Sequence, residues 1–131
     1  MIAQRRFPHA MRKTVVIIPT YNERANLSEL LPAIIQDSPC DVLVVDDNSP
    51  DGTAELVKDI AGRFSSRVFL MRRKAKLGLG TAYLAGFRWA LDHGYDLICE
   101  MDADFSHHPA RLPGLIDAVA NADVVLGSRY V

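Results

Sequence analysis

No stretch of the chain approaches the roughly 18 to 20 consecutive apolar residues that a membrane-spanning helix requires, although apolar residues make up 49% of the sequence. The N-terminal segment is basic, with Arg5, Arg6, Arg12 and Lys13, and no apolar run follows it, so a signal peptide is not expected. Residues 1–12 read as a flexible, solvated tail. Cysteine is scarce: Cys40 and Cys99 form no CxxC pair and no metal-ligand spacing, which points to a reducing, cytoplasmic compartment. An excess of one charge is also missing. The 15 basic and 16 acidic residues leave a net charge of −1, whereas phosphate-backbone binders carry a basic surplus, so no nucleic-acid partner is expected. Repeats and low-complexity tracts are absent. The 131 residues suffice for one domain around one core.

Apolar runs and helical patterns alternate along the chain. Val15–Ile18 is a β-branched run stopped by Pro19. Asn26 and Glu29 have the spacing of a capping box, followed by Leu27, Leu30, Leu31, Ile34 and Ile35 at helical intervals, with Pro32 inside the pattern. Asp41–Asp46 is a second strand, and Asn48–Gly52 is dense in turn-forming residues. A helix begins near Thr53, a third strand covers Val68–Met71, and the glycine loop Lys76–Gly80 leads into a helix closed by Gly94. Leu97–Asp102 is a fourth strand, Pro109 suits the start of another helix, and Asp123–Leu126 is a fifth strand. Five strands with four helical crossovers predict a doubly wound α/β fold with a mainly parallel sheet covered on both faces. Right-handed crossovers bring the loops that follow the strands to one edge, where ligands bind in such folds.

The polar residues with chemical potential lie in those loops. Asp102-Ala103-Asp104 ends the fourth strand, and two carboxylates at i and i+2 can share a hard cation that also bridges a diphosphate. Ser106 can add an oxygen ligand or a water contact, and an acidic surface turn is the plain alternative. His107 and His108 suit caps or surface positions better than a metal. Asp46-Asp47 can accept hydrogen bonds from a nucleobase or a ribose, although turn formation accounts for part of Asn48–Gly52. Tyr21 can flank a base, and Glu23 can bind ribose or a base edge. Gly78 and Gly80 allow backbone N–H groups to approach a phosphate at a helix start, and Lys76 adds charge; a structural turn is the alternative. Arg129 can clamp a diphosphate or an acceptor phosphate, or stand as a surface arginine.

Five segments in order, Pro19-Thr-Tyr-Asn-Glu23, Asp46-Asp-Asn-Ser-Pro-Asp-Gly-Thr53, Gly78-Leu-Gly-Thr-Ala-Tyr83, Asp102-Ala-Asp-Phe-Ser-His107 and Gly127-Ser-Arg-Tyr-Val131, resemble the family 2 glycosyltransferases of GT-A fold, most of all the dolichol- and polyprenol-phosphate mannosyltransferases. The resemblance runs from Lys13 onward. It implies transfer of mannose from GDP-mannose to a polyprenyl monophosphate with inversion. It places Pro19, Tyr21, Glu23, Asp46 and Asp47 on the nucleoside, with Lys76, Gly78 and Ala103 among the donor contacts. Asp102 and Asp104 would hold Mg²⁺ or Mn²⁺, with Ser106 where the family often has glutamine, and Arg129 would face phosphate. It also implies work at the cytoplasmic face of a membrane, with peripheral association.

The resembling family continues well past the last of these motifs, so residues 13–131 are expected to be a nucleotide-sugar-binding part without its acceptor part, binding donor weakly and turning over poorly. A UDP-sugar-dependent transferase of the same family (a polyprenyl-phosphate glucosyltransferase or polysaccharide synthase) and a non-catalytic nucleotide-sugar-binding fragment are the alternatives. A phosphoacceptor receiver domain has a similar length and fold. It requires its acidic pair after the first strand and a lysine after the fifth, and neither is present.

Overall fold

The computed structural model describes residues 2–5, 13–64, 66–106, 108–118 and 124–126. In chain order these form β1 (Ile2–Arg5), β2 (Thr14–Thr20), α1 (Arg24–Asp37), β3 (Asp41–Asp46), α2 (Thr53–Arg63), β4 (Val68–Arg72), α3 (Leu79–Asp92), β5 (Leu97–Glu100), a 3-10 turn (Pro109–Arg111), α4 (Leu112–Ala118) and β6 (Val124–Leu126). The strands make one sheet in the order β4-β3-β2-β5-β1-β6. β2, β3, β4 and β5 are mutually parallel neighbours, so their C-terminal ends share one edge.

Alternation along the strands supplies two cores. Val16, Ile18, Val42 and Val44 face one side, where Leu27, Leu30, Leu31 and Ile34 of α1, Val57 and Ile60 of α2, and Leu112 and Leu115 of α4 cover them. Val15, Ile17, Leu43 and Val45 face the other side and pack against Ala82 and Ala90 of α3, with Phe87 and Trp89 beside them. Helices thus cover both faces, as the continuous apolar strands require.

The structure corrects three local expectations. Ile2–Arg5, expected in a flexible tail, pairs antiparallel with both β5 and β6. The edge of β5 offers a row of backbone donors and acceptors, and this short segment satisfies it. Pro19 does not stop β2: the strand continues to Thr20, with Pro19 opposite Val45. Ile17 accepts from the Met101 N–H on the β5 side. Pro19 has the same strand phase, so its missing N–H points where β5 has already ended. Helix α1 begins at Arg24 rather than after Asn26, and its N-cap, Glu23, makes no side-chain cap bond. The chain entering the helix is held from a distant segment instead: Asn22 N–H donates to Ser49 Oγ, Glu23 N–H to Thr53 Oγ1 and Arg24 N–H, the first of the helix, to Asp51 Oδ2, at 2.9, 3.2 and 3.2 Å. The same contacts tie the loop after β2 to the loop after β3.

Candidate functional site

Three strand ends turn sharply at this shared edge. Asn22, Asn48 and Phe105, which follow β2, β3 and β5, adopt φ of 55°, 58° and 60°. Asparagine tolerates that region, and Phe105 does so at a cost in strain, a pattern that concentrates where loops shape a site. Between them lies a cavity of about 360 Å³, a size within the range of small-molecule sites. Pro19, Thr20, Tyr21 and Glu23 line it from the end of β2, Asp47 from the end of β3, and Asp102, Ala103 and Asp104 from beyond β5. Lys76, Gly78, Leu79 and Ala82 supply the wall from the glycine loop and α3.

The acidic pair after β3 divides its duties, because neighbouring residues at a strand end point in opposite directions. Asp46 is fully buried. Its Oδ1 accepts from Thr20 Oγ1 at 2.8 Å and Ser49 Oγ at 2.6 Å, and its Oδ2 accepts from Ser49 N–H at 3.0 Å. That carboxylate builds the turn and is not among the residues that line the cavity. Asp47 does line the cavity and is gripped by Arg73: Nε donates to Oδ1 at 2.6 Å and a terminal nitrogen to Oδ2 at 2.8 Å. The bidentate hydrogen bond raises the Arg73 pKa above its ordinary value.

Arg73 also secures the glycine loop. Its guanidinium donates to Thr81 Oγ1 at 3.0 Å and to the Gly78 carbonyl at 3.3 Å, while Leu77 N–H donates to Asp47 Oδ2 at 3.4 Å. Gly78 sits at φ 101°, a conformation that side chains rarely adopt. Lys76 extends over the Tyr21 ring, its Nζ 4.6 Å from the centroid, so the expected phosphate and base residues meet at the cavity mouth.

Beyond β5, Asp102 and Asp104 both line the cavity. Tyr83 Oη donates to Asp102 Oδ1 at 3.0 Å. Burial, then the charge of Asp102 and this hydrogen bond, push the Tyr83 pKa far up, so the phenol stays protonated and donates. Glu100 is also raised, first by burial and further by Asp102. Ser106 donates both its N–H and its hydroxyl to Asp104 Oδ1. It shapes that carboxylate and is not among the residues that line the cavity. The two carboxylates suit a hard divalent cation. Among the described residues no group of three or more His, Cys, Asp or Glu could hold an ion, so the donor set fits a cation completed by phosphate and water rather than a closed protein cage.

Pro19, Tyr21, Glu23, Asp47, Lys76, Gly78, Asp102, Ala103 and Asp104 are therefore brought to one cavity. Arg129 and His107 lie outside the described residues. His108 caps the turn that precedes α4, its Nδ1 accepting from Ala110 N–H at 3.1 Å. Sequence reasoning missed Arg73 and Tyr83. Arg73 carries no signal in the sequence beyond its place shortly after the third strand. Tyr83 carried no signal beyond its membership of a resembling motif.

The family model for glycosyl transferase family 2 matches residues 15–131. The chain is 52% identical over 122 residues to the polyprenol monophosphomannose synthase of Mycolicibacterium smegmatis, covering 92% of this chain and 46% of that protein. It is 42% identical over 123 residues to the dolichol-phosphate mannosyltransferase of Pyrococcus furiosus, covering 91% of this chain and 34% of that one. A solved mannosyltransferase from Pyrobaculum calidifontis, in complex with GDP-Man and Mn²⁺, superposes with a TM-score of 0.70 at 28% identity, over 88% of this chain and 34% of that chain. The chain spans about half the length of the first curated relative, and a third of the other. A doubly wound sheet of GT-A type, a site at its C-terminal edge and a family match over nearly all residues from β2 onward together make this chain a member of glycosyl transferase family 2.

Proposed function

We propose that residues 13–131 are the nucleotide-sugar-binding part of a mannosyltransferase that transfers mannose from GDP-mannose to a polyprenyl (dolichyl) monophosphate with inversion. One observation carries the reading: a single cavity gathers Tyr21, Glu23 and Asp47, suited to a nucleoside, with Asp102 and Asp104, suited to the cation of a diphosphate. The names of the relatives, and the GDP-Man and Mn²⁺ held by the Pyrobaculum protein, support the choice of donor.

In this reading the Tyr21 ring flanks the base, Glu23 and Asp47 accept hydrogen bonds from the nucleoside, and Lys76 with the Gly78 backbone serves the phosphates. Asp102 and Asp104 would hold Mg²⁺ or Mn²⁺, which when bound offsets the charge of the departing diphosphate. Arg129 is assigned to phosphate by the sequence likeness alone. The acceptor phosphate is anionic at neutral pH. Its oxygen forms the new bond to the anomeric carbon as the bond to GDP breaks on the opposite face, and no proton has to be removed first. Catalysis then rests on positioning and leaving-group stabilisation.

A lipid acceptor implies peripheral association at the cytoplasmic face of a membrane. Leu77, 59% exposed, stands beside the exposed Lys74, neither of them in the cavity lining, a surface suited to anionic lipid. No helix among the described residues is long and apolar enough to cross a membrane.

Calorimetric titration with GDP, GDP-mannose, UDP and UDP-glucose, first with Mn²⁺ and then with EDTA, tests the reading. Metal-dependent binding of the guanine ligands, lost in Asp102→Ala, sustains it. A preference for the uracil ligands moves the donor to a UDP-sugar, and binding of none of them overturns it.

A further inference from the structure

Asp102 stands just past the last backbone pairing of its strand. β5 ends at Glu100, and the N–H of Met101 reaches Ile17 O at 3.0 Å. Beyond Met101 the side chain of Asp102 is met by a hydroxyl from another element, that of Tyr83 on α3. The contact engages Oδ1. A carboxylate held by one oxygen has its rotation about χ2 restricted, and the other oxygen is left for a ligand in the cavity that Asp102 lines.

The helix that delivers this hydroxyl is held firmly. Tyr83 packs its ring against the core formed by Val15, Ile17, Leu43 and Val45. One turn on, Gly86 lets α3 approach so closely that a Cβ there would lie 2.6 Å from Ile17 Cγ2. The hydroxyl is thus placed by the sheet, through the helix, rather than by a mobile loop.

We propose that Tyr83 is a positioning residue for Asp102, pinning Oδ1 so that the other oxygen is held ready for the divalent cation that Asp102 and Asp104 would hold with the donor. The inference rests on the donor-site reading above and deepens it. A ring that served packing alone would need no oxygen at this position, and Tyr83→Phe separates the two roles because it keeps the ring and removes only the hydroxyl.

The test measures Mn²⁺ affinity in the presence of saturating GDP, from the electron paramagnetic resonance of free Mn²⁺, together with GDP affinity in EDTA and thermal unfolding. Tyr83→Phe is expected to weaken Mn²⁺ binding about tenfold, the usual loss when an outer partner of a metal ligand is removed. GDP affinity in EDTA should stay within about twofold of wild type, because the nucleoside contacts are untouched. Unchanged Mn²⁺ affinity overturns the inference, as does an equal loss of GDP affinity in EDTA, which would mark a general structural role. Wild type and Asp102→Ala are measured alongside. If Mn²⁺ strengthens GDP binding in wild type and not in Asp102→Ala, the donor-site reading stands and the Tyr83 result is judged alone. If Mn²⁺ has no effect on wild type, the reading and the inference fall together. Should Tyr83→Phe not fold, the wild-type chain labelled at tyrosine Cζ serves: adding Mg²⁺ with GDP must shift the Tyr83 resonance beyond GDP alone, and no such shift overturns the inference.

Discussion

Arg73 and Asp47 form a bidentate ion pair in which both side chains are nearly withdrawn from water, 11% and 8% exposed, with an Nε to Oδ1 distance of 2.6 Å. The pair binds the end of β3 to the glycine loop, because the same guanidinium reaches Thr81 and Gly78. Removing one partner of such a pair leaves the other buried and charged. Arg73→Ala should therefore cost about 3 kcal/mol, read as a lower urea midpoint, and should weaken GDP binding by loosening the loop that carries Lys76. Arg73→Lys keeps the charge without the planar fork and should fall between the two. Asp47→Asn combined with Arg73→Ala should cost less than the two single changes summed; strict additivity would show that the pair is not coupled.

Asp51 stabilises two helices at once. Its Oδ2 accepts from Arg24 N–H in the first turn of α1, and its Oδ1 accepts from the N–H and the hydroxyl of Thr53 at the start of α2. Desolvation, the largest single effect, pushes its pKa up, and the hydrogen bonds from Thr53 and from the backbone together outweigh it, so the carboxyl titrates below its ordinary value. A depressed carboxylate stabilises the fold above its unfolded pKa, about 3.9, and the contribution fades as pH falls through the folded value. Asp51→Ala should cost about 1 kcal/mol at pH 7. The gap from wild type should narrow as pH falls below ~4, where the carboxyl of the unfolded chain takes up its proton before that of the folded protein does. Urea unfolding at pH 7 and pH 3 reads this directly, and a gap that widens at pH 3 would contradict it.

Gly86 sets how closely α3 lies on the sheet. Its added Cβ would meet Ile17 Cγ2 at 2.6 Å and Cδ1 at 3.0 Å, both on a fully buried, β-branched side chain. Alanine in a helix gains about 1 kcal/mol over glycine, but overpacking costs about 1–3 kcal/mol. Gly86→Ala is expected to be destabilising by about 1 kcal/mol on balance. It should also weaken Mn²⁺-dependent GDP binding, since α3 carries Tyr83 away from Asp102. Ile17→Ala alone opens a cavity, and adding Gly86→Ala to it should restore part of the stability. A double variant as unstable as the sum would show that Ile17 is not what Gly86 makes room for.

Element order and the edge that carries the site were legible because both follow from local pattern: β-branched runs alternate with helical spacing, and right-handed crossovers gather the loops. What stayed hidden depends on reach across the fold. Ile2–Arg5 has no apolar run to announce a strand, and it becomes one only against the open edge of β5. The start of α1 is decided by Ser49, Asp51 and Thr53, more than 25 positions further along the chain. Tyr83 reads as an ordinary helix position until α3 is laid beside the end of β5.

Asp46 and Asp102 look alike in sequence, each an acidic residue at the end of an apolar strand, and the structure gives them opposite tasks. Asp46 is fully buried, and every oxygen is met by a donor from Thr20 or Ser49. An amide in its place turns a donor toward donors, so Asp46→Asn should cost about 2 kcal/mol and lower the unfolding midpoint. Any loss of GDP binding should be recovered under conditions that keep the variant folded. Asp102 is half-buried at the cavity, with Tyr83 as its partner. Asp102→Asn should leave the unfolding midpoint near wild type and abolish the gain in GDP affinity that Mn²⁺ provides, since a neutral amide is a poor ligand for a hard cation. Thermal unfolding paired with calorimetry in Mn²⁺ and in EDTA separates the two. Should Asp46→Asn unfold like wild type yet lose GDP binding, its carboxylate would belong to the nucleoside site after all, and the division of labour between Asp46 and Asp47 would have to be redrawn.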